Sequence, residues 1–193
     1  QNTRGVRGIH PVPPEFIAQQ MQCCLEDIGA DAAKTGMLHS AAVIETVEAH
    51  LPPTLPLVVD PVMVAKGGAA LLESTAMDAL ITRLLPRASV MTPNLPEAAL
   101  LLKRSIDSTQ QHALIEAAHD LLDFGSAAVL LKGGHASTAQ LTDVLVLRGA
   151  ATPHLFHAQR RDTPHTHGTG CAFASAIACG LAGVTGHDWD RAR

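Results

Sequence analysis

Residues 57–61, Leu57-Val58-Val59-Asp60-Pro61, join a short run of branched aliphatics to a carboxylate and then break. A run this short and this apolar reads as a strand buried on both faces, the kind found in parallel sheets. The arrangement recurs along the chain. Ala32–Thr35 closes on Gly36, Ser89–Met91 ends at Thr92, Pro93 and Asn94, and Ala127–Leu131 ends at Lys132, Gly133 and Gly134. Helical patterns fill the intervals. Pro14–Ile28 carries Phe16, Ile17, Met21 and Leu25 at helical spacing, Ser40 suits an N-cap for Ala41–Leu51, Ser74 caps a helix through Leu85, and Ser108–Phe124 is stopped by Gly125. Leu141–Leu147 and Pro153–Gln159 read as an antiparallel pair around Arg148 and Gly149, and Thr169–Leu181 as a last helix made largely of Ala, Ser and Gly. Strand and helix in alternation predict an α/β fold with a mainly parallel central sheet covered by helices.

The 193 residues fit one domain, and 47% hydrophobic against 17% charged residues excludes a disordered chain. With 14 Lys plus Arg against 18 Asp plus Glu, the net charge is -4 and no basic stripe forms, so nucleic acid is not an expected partner. No apolar stretch reaches the roughly 18 residues of a membrane span, and no signal core opens the chain, so a cytoplasmic protein without membrane contact is expected. Cys23, Cys24, Cys171 and Cys179 form no C-x-x-C pair and are expected as reduced thiols. A start at Gln1 without Met, and an end at Arg193 just after a helix start at His187–Trp189, predict a fragment.

Ligands of open α/β sheets bind at the carboxyl ends of the strands, so the polar residues there carry the functional argument. Asp60, Asn94 with Glu97, and Lys132 supply carboxylates able to hold Mg²⁺ through water, an amide, and a cation able to meet phosphate charge, which suits phosphoryl transfer. Each has a structural alternative. Asp60 before Pro61 suits a turn, Asn94 to Glu97 suits a helix capping box, and Gly133 and Gly134 suit a turn needing positive φ. Lys66 with Gly67 and Gly68 suits a loop over a phosphate, or a solvated loop.

Gly168, Thr169, Gly170 and Cys171 are the strongest local signal. Glycines just before a helix let amides converge on an anion that the helix dipole also favours. A thiol in the first helical turn is a better base than a buried one, because the same dipole favours its thiolate. The alternative is a cap glycine followed by a core cysteine. Small residues Ala172, Ala174, Ser175, Ala176 and Ala178 permit the helix to pack closely under a ligand. His154, His157, His165 and His167 raise a zinc site, but no H-E-x-x-H or Cys/His pair completes one. A P-loop and a complete G-x-G-x-x-G are both absent from the sequence.

Gln1–Val6, His10–Pro14, Lys34–Leu38, Asp60–Gly68, Thr92–Ala98, Lys132–His135 and His167–Cys171 resemble, in that order, the hydroxymethylpyrimidine and phosphomethylpyrimidine kinases of thiamine biosynthesis, of the ribokinase-like superfamily. The resemblance covers the whole chain and implies a ribokinase-like three-layer αβα fold, in one domain over residues 1–193, with its N-terminal strand and Gly-rich loop missing. It implies ATP-dependent phosphorylation of 4-amino-5-hydroxymethyl-2-methylpyrimidine, then of its monophosphate to the diphosphate. Cys171 takes the place of the base, and the amides of Gly168, Thr169, Gly170 and Cys171 form the anion hole. Asp60 and Glu97 would arrange Mg²⁺, while Lys132, Thr92, Asn94 and Lys66 would contact ATP. Gln1, Met37 and Val62 would line the pyrimidine pocket. His165 stands where the family usually has Asn. A homodimer is expected. The alternatives are a pyridoxal or pyridoxine kinase, which also accepts a hydroxymethyl-bearing ring, and a non-catalytic ligand-binding fragment.

Overall fold

The computed structural model describes residues 8–63, 74–136, 138–163 and 167–186. Among these, six strands form one sheet whose spatial order follows the chain: β1 (Ala33–Thr35), β2 (Leu57–Val59), β3 (Val90–Met91), β4 (Ala128–Leu131), β5 (Gln140–Leu147) and β6 (His154–Gln159). Strands β1 to β4 run parallel, as the apolar runs predict, and β5 and β6 add the antiparallel hairpin. Thr35 lies opposite Val59, Val59 opposite Met91, and Met91 opposite Val129, so the parallel strands end nearly level.

Alternation along the strands divides the sheet into two faces. Leu57, Val59, Met91, Val129, Leu131, Val144 and Val146 belong to one buried core with Ile44 of α2 (Ala41–His50), Ala98 and Leu101 of α4 (Leu95–Leu102), and Leu114 and Leu121 of α5 (Gln111–Leu121). Helix α1 (Pro14–Asp27) packs on α2 and adds Ile17 and Met21 to the rim of that core. The opposite face is covered by α6 (Thr169–Gly186), which seats Ala174 and Ala178 on Val58. The result is the expected three-layer αβα arrangement. Each aliphatic side chain that is fully removed from water contributes about 1.5–3 kcal/mol, so the seven-strand-residue face against α2, α4 and α5 dominates the core.

Local chemistry explains most helix ends. Ser40 caps α2 by accepting the Val43 N–H, and the Asn94–Glu97 capping box opens α4 with both of its reciprocal bonds formed. Three expectations need correction. Ser74 is the first residue of α3 (Ser74–Ala79) rather than its cap, and beyond Ala79 the helix widens into a π segment at Leu80–Leu84 and tightens to 3₁₀ at Leu85–Arg87. Pro86, which has no N–H to donate, sits in that last turn. Helix α5 starts at Gln111 instead of Ser108, because Asp107 accepts both the amide and the hydroxyl of Thr109 and holds the chain in a turn. Helix α6 continues past Leu181 to Gly186.

Gly133 is required for a different reason than the sequence suggests. Positive φ occurs at Gly29, Gly125, Gly149 and Gly168, and Gly133 and Gly134 are not among them. A Cβ at Gly133 would stand 2.2 Å from the Thr142 carbonyl oxygen, so it is close approach of β4's exit to β5 that excludes a side chain. No helix among the described residues is long and apolar enough to cross a membrane.

Candidate active site at the strand ends

The register of the parallel strands brings four polar side chains to one face. Lys34 is paired with Val58, which faces α6, and Asp60 lies two residues beyond Val58 on the same side. Thr92 follows β3 and Lys132 follows β4 by the same alternation. Asp60 is 3% exposed and is the hub. Its Oδ1 accepts from Lys132 Nζ at 2.8 Å and from the Thr92 hydroxyl at 3.2 Å, and its Oδ2 lies 4.0 Å from Lys34 Nζ. A carboxylate this buried is tolerable only with paired charge around it. Asp60 is therefore more than the start of a turn, although its carbonyl does accept the Val62 N–H.

Helix α6 delivers its first turn to this cluster. Gly168 has φ +79° and its carbonyl accepts the Ala172 N–H at 3.0 Å, so the amides of Gly170 and Cys171 precede the helical ladder. A Cβ on Gly170 would lie 3.5 Å from Lys132 Nζ and 4.0 Å from Asp60 Oδ2. The Gly-x-Gly segment and the Asp60–Lys132 pair thus form one site, which sequence spacing alone does not show. Cys171 is exposed, which sets aside the core-cysteine alternative, and Cys23, Cys24 and Cys179 are exposed free thiols as well. Of the small residues in α6, Ala174 and Ala178 pack on β2, whereas Ala172, Ser175 and Ala176 are exposed; close packing is made to the sheet.

Asn94 and Glu97 stand at the next strand end. Asn94 bridges to Lys132 in parallel, and the Lys132 N–H donates to the Pro93 carbonyl. Glu97 Oε2 accepts the Asn94 N–H at 2.8 Å. Burial pushes the Glu97 carboxyl up to about 7, against the Asn94 amide bond and the Lys132 charge, which pull it down; Asp60 adds to the rise. The Lys132 and Asp60 charges are both felt at Glu97, so the two carboxylates share one electrostatic site. No group of three or more His, Cys, Asp or Glu suited to a metal occurs among the described residues. Two carboxylates fit Mg²⁺, which keeps most of its waters, and do not form an all-protein cage.

Met37 follows β1 and Val62 follows β2, two adjacent parallel strands, and Met37 is 38% exposed. Gln1, Lys66 and His165 lie outside the described residues. His157 Nδ1 is 3.1 Å from the Thr142 hydroxyl on the distant hairpin, and His167 is exposed beside Gly168.

The profile of the family described as phosphomethylpyrimidine kinase matches residues 1–192. The chain belongs to that family. It is 47% identical over 183 residues to a hydroxymethylpyrimidine/phosphomethylpyrimidine kinase of Streptomyces coelicolor, covering 94% of this chain and 66% of that protein. It is 48% identical over 184 residues to the thiamine biosynthesis bifunctional protein ThiED of Geobacter sulfurreducens, covering 94% of this chain and 37% of that one. The chain therefore spans about two thirds of the first of these relatives and little more than a third of the second. Among solved structures, phosphomethylpyrimidine kinase of Clostridium difficile matches with a TM-score of 0.77 and 32% identity, covering 100% of this chain and 77% of that one. An ADP complex of Bacillus subtilis pyridoxal kinase matches with a TM-score of 0.80 and 32% identity, covering 96% of this chain and 67% of that one. These neighbours bear out the ribokinase-like fold expected from the family strings.

One member of the cluster was not assigned by sequence reasoning. Lys34 lies in the middle of a short strand, flanked by Ala33 and Thr35, and a lysine there is a signal in itself because its ammonium needs a partner at the strand end.

Proposed function

We propose that this protein transfers the γ-phosphoryl group of ATP to 4-amino-5-hydroxymethyl-2-methylpyrimidine, and then to the resulting monophosphate, within thiamine biosynthesis. The observation that carries the reading is the convergence of buried Asp60 and its partner Lys132 on Gly170, directly before Cys171 at the start of α6. A cation, a carboxylate and the first-turn amides of Gly170 and Cys171, which precede the helical ladder, stand together there, and a transferring phosphoryl group requires such partners. Membership of the phosphomethylpyrimidine kinase family supports the same substrate class.

In this reading the Cys171 thiolate takes the hydroxyl proton of the acceptor. The acceptor oxygen then bonds to the γ-phosphorus as the bond to the β–γ bridging oxygen breaks and ADP departs. The amides of Gly168, Thr169, Gly170 and Cys171 meet the charge on the transferring group, Lys132 draws it into line, and Thr92 and Asn94 hold the donor, with Lys66 assigned to the same task. Met37 and Val62, with Gln1, line the ring. Asp60 and Glu97 would hold Mg²⁺ through its waters, and when bound it would neutralise phosphate charge. We take the protein to act in the cytoplasm as a homodimer, each chain contributing one kinase domain over residues 1–193.

Pyridoxal is a second acceptor to test, because pyridoxal kinases of B. subtilis and Staphylococcus aureus share this fold with TM-scores of 0.80. The full-length protein, supplied with ATP and Mg²⁺, should release ADP with the pyrimidine alcohol and with its monophosphate faster than with pyridoxal. Absence of turnover with both pyrimidines would refute the proposal. Ligand-induced stabilisation without turnover would point to a binding module instead.

A further inference from the structure

Lys34 offers the site a second cation. Its Nζ stops 4.0 Å from Asp60 Oδ2, and its side chain is 16% exposed. At that length the contact is Coulombic and beyond hydrogen-bond reach, so the ammonium's three N–H donors are not committed to Asp60. Lys132 is different: it holds Asp60 Oδ1 at 2.8 Å from the other flank. A Cβ at Gly36 would stand 2.9 Å from Lys34 Nζ, so the bare glycine leaves room beside the ammonium. Two ammonium groups thus bracket one carboxylate, leaving a surplus positive charge on the β1 side. Met37 lies two residues beyond the end of β1, whereas Lys132 lies toward β4, Thr92 and Asn94.

We propose that Lys34 binds the phosphate of the monophosphate acceptor in the second transfer, and so sets the relative use of the two acceptors. The assignment rests on the kinase reading above. The two transfers make different demands. The alcohol is neutral and must lose a proton to a base. The monophosphate is largely dianionic at neutral pH, since a phosphate monoester has its second pKa near about 6, and it needs no base. Its phosphate oxygen bonds to the γ-phosphorus, the bond to the β–γ bridging oxygen breaks, ADP leaves, and no proton is taken up. What the second transfer requires is a cation that lets two anions approach. Lys132 holds Asp60 from the β4 side, where Thr92 and Asn94 are assigned to the donor; Lys34 lies on the β1 side, where Met37 is assigned to the acceptor.

The test measures kcat/KM for the alcohol and for the monophosphate separately, at saturating ATP, in full-length wild type, K34M, K34R and C171A. One charge-assisted contact corresponds to about a tenfold to hundredfold effect. K34M is expected to lose that factor on the monophosphate beyond whatever it loses on the alcohol, chiefly in KM, with K34R recovering part. C171A is expected to show the opposite bias. Equal loss on both acceptors in K34M, or no loss, would overturn the role of Lys34. If K34M fails to fold, the wild type still decides: added salt should raise KM for the monophosphate more than for the alcohol, and equal salt dependence overturns the proposal. A wild type inactive on both acceptors would instead overturn the kinase reading, and the role of Lys34 with it.

Discussion

Replacing Gly170 by alanine separates the packing of α6 from the chemistry proposed at its N-terminus. Gly170 is the second residue of the helix and does not have positive φ, so alanine fits its backbone. The new methyl would lie 3.5 Å from Lys132 Nζ and 4.0 Å from Asp60 Oδ2, both ordinary contacts. No clash opposes folding. The helix gains intrinsic propensity worth about 0.5–1 kcal/mol, which corresponds to a rise in Tm of roughly 1–4 °C for a chain of this size. Activity should move the other way. A phosphoryl oxygen bonding to the Gly170 amide and to Lys132 must come within about 3 Å of each, in the space the methyl fills. Loss of one oxyanion donor costs about 100-fold to 1,000-fold in kcat, and G170A should fall in that range. The measurement is ADP release by the intact protein, with thermal melting of the same sample. A G170A protein that melts normally and turns over at the wild-type rate would refute placing the transferring group over Gly170. A protein that loses several degrees of Tm would refute the packing drawn here.

Cys171 is exposed, so C171A should leave Tm within about 1 °C while lowering kcat for the alcohol by roughly 100-fold, the scale of a general base; unchanged turnover removes it from that role. Glu97 predicts a pH dependence of stability. Its carboxyl is raised in the folded state from 4.5 to about 7, chiefly by burial, so the folded state binds its proton more tightly than the unfolded one. The associated stability is fully present below about pH 4.5 and is lost as pH rises through about 7, reaching on the order of 3 kcal/mol. E97Q keeps an oxygen for the Asn94 amide but cannot ionise, so melting of the metal-free protein between pH 5 and 8 should decline less in the variant, and parallel curves would count against a raised Glu97. In G133A the Cβ would meet the Thr142 carbonyl oxygen at 2.2 Å, and denaturant unfolding should show a loss of about 3 kcal/mol or more; a stability within 1 kcal/mol of wild type would mean that β4 and β5 separate freely there.

The elements that were legible in the sequence are those fixed by local chemistry. Leu57–Val59 and Ala128–Leu131 are strands because nothing but a two-sided burial suits such runs, and Ser40 and the Asn94–Glu97 pair announce their helices through side chains that satisfy terminal amides. The errors fall where a non-local or competing contact decides. Asp107 captures Thr109 and delays α5, and Gly133 is dictated by a carbonyl on another strand. At the site, Asp60, Lys132 and Cys171 were each readable as strand-end or helix-start residues. The convergence of Asp60 and Lys132 on Gly170 was not, because it depends on the register of β1 to β4 and on the placement of α6 over the sheet. Lys34 is the same case: a lysine within a short strand signals that its ammonium needs a partner, but the partner, Asp60, lies 26 positions along the chain and only the register supplies it.

The small residues of α6 connect packing to chemistry. Ala174 is fully buried and Ala178 is 9% exposed, both against Val58. Val58 is paired with Lys34 and lies two residues before Asp60, so the helix rests on the strand that presents the hub of the site. The methyl side chains of Ala174 and Ala178, with the larger, partly buried Ile177 and Leu181 packed around them, seat the helix on Val58, and its first turn, on the same rod, is held with it. That is how a Cβ at Gly170 would come within van der Waals range of Lys132 and Asp60. The packing of α6 and its Gly-x-Gly start therefore act together: the buried face of the helix fixes its position on the sheet, and the missing side chain at Gly170 leaves space beside the Asp60–Lys132 pair.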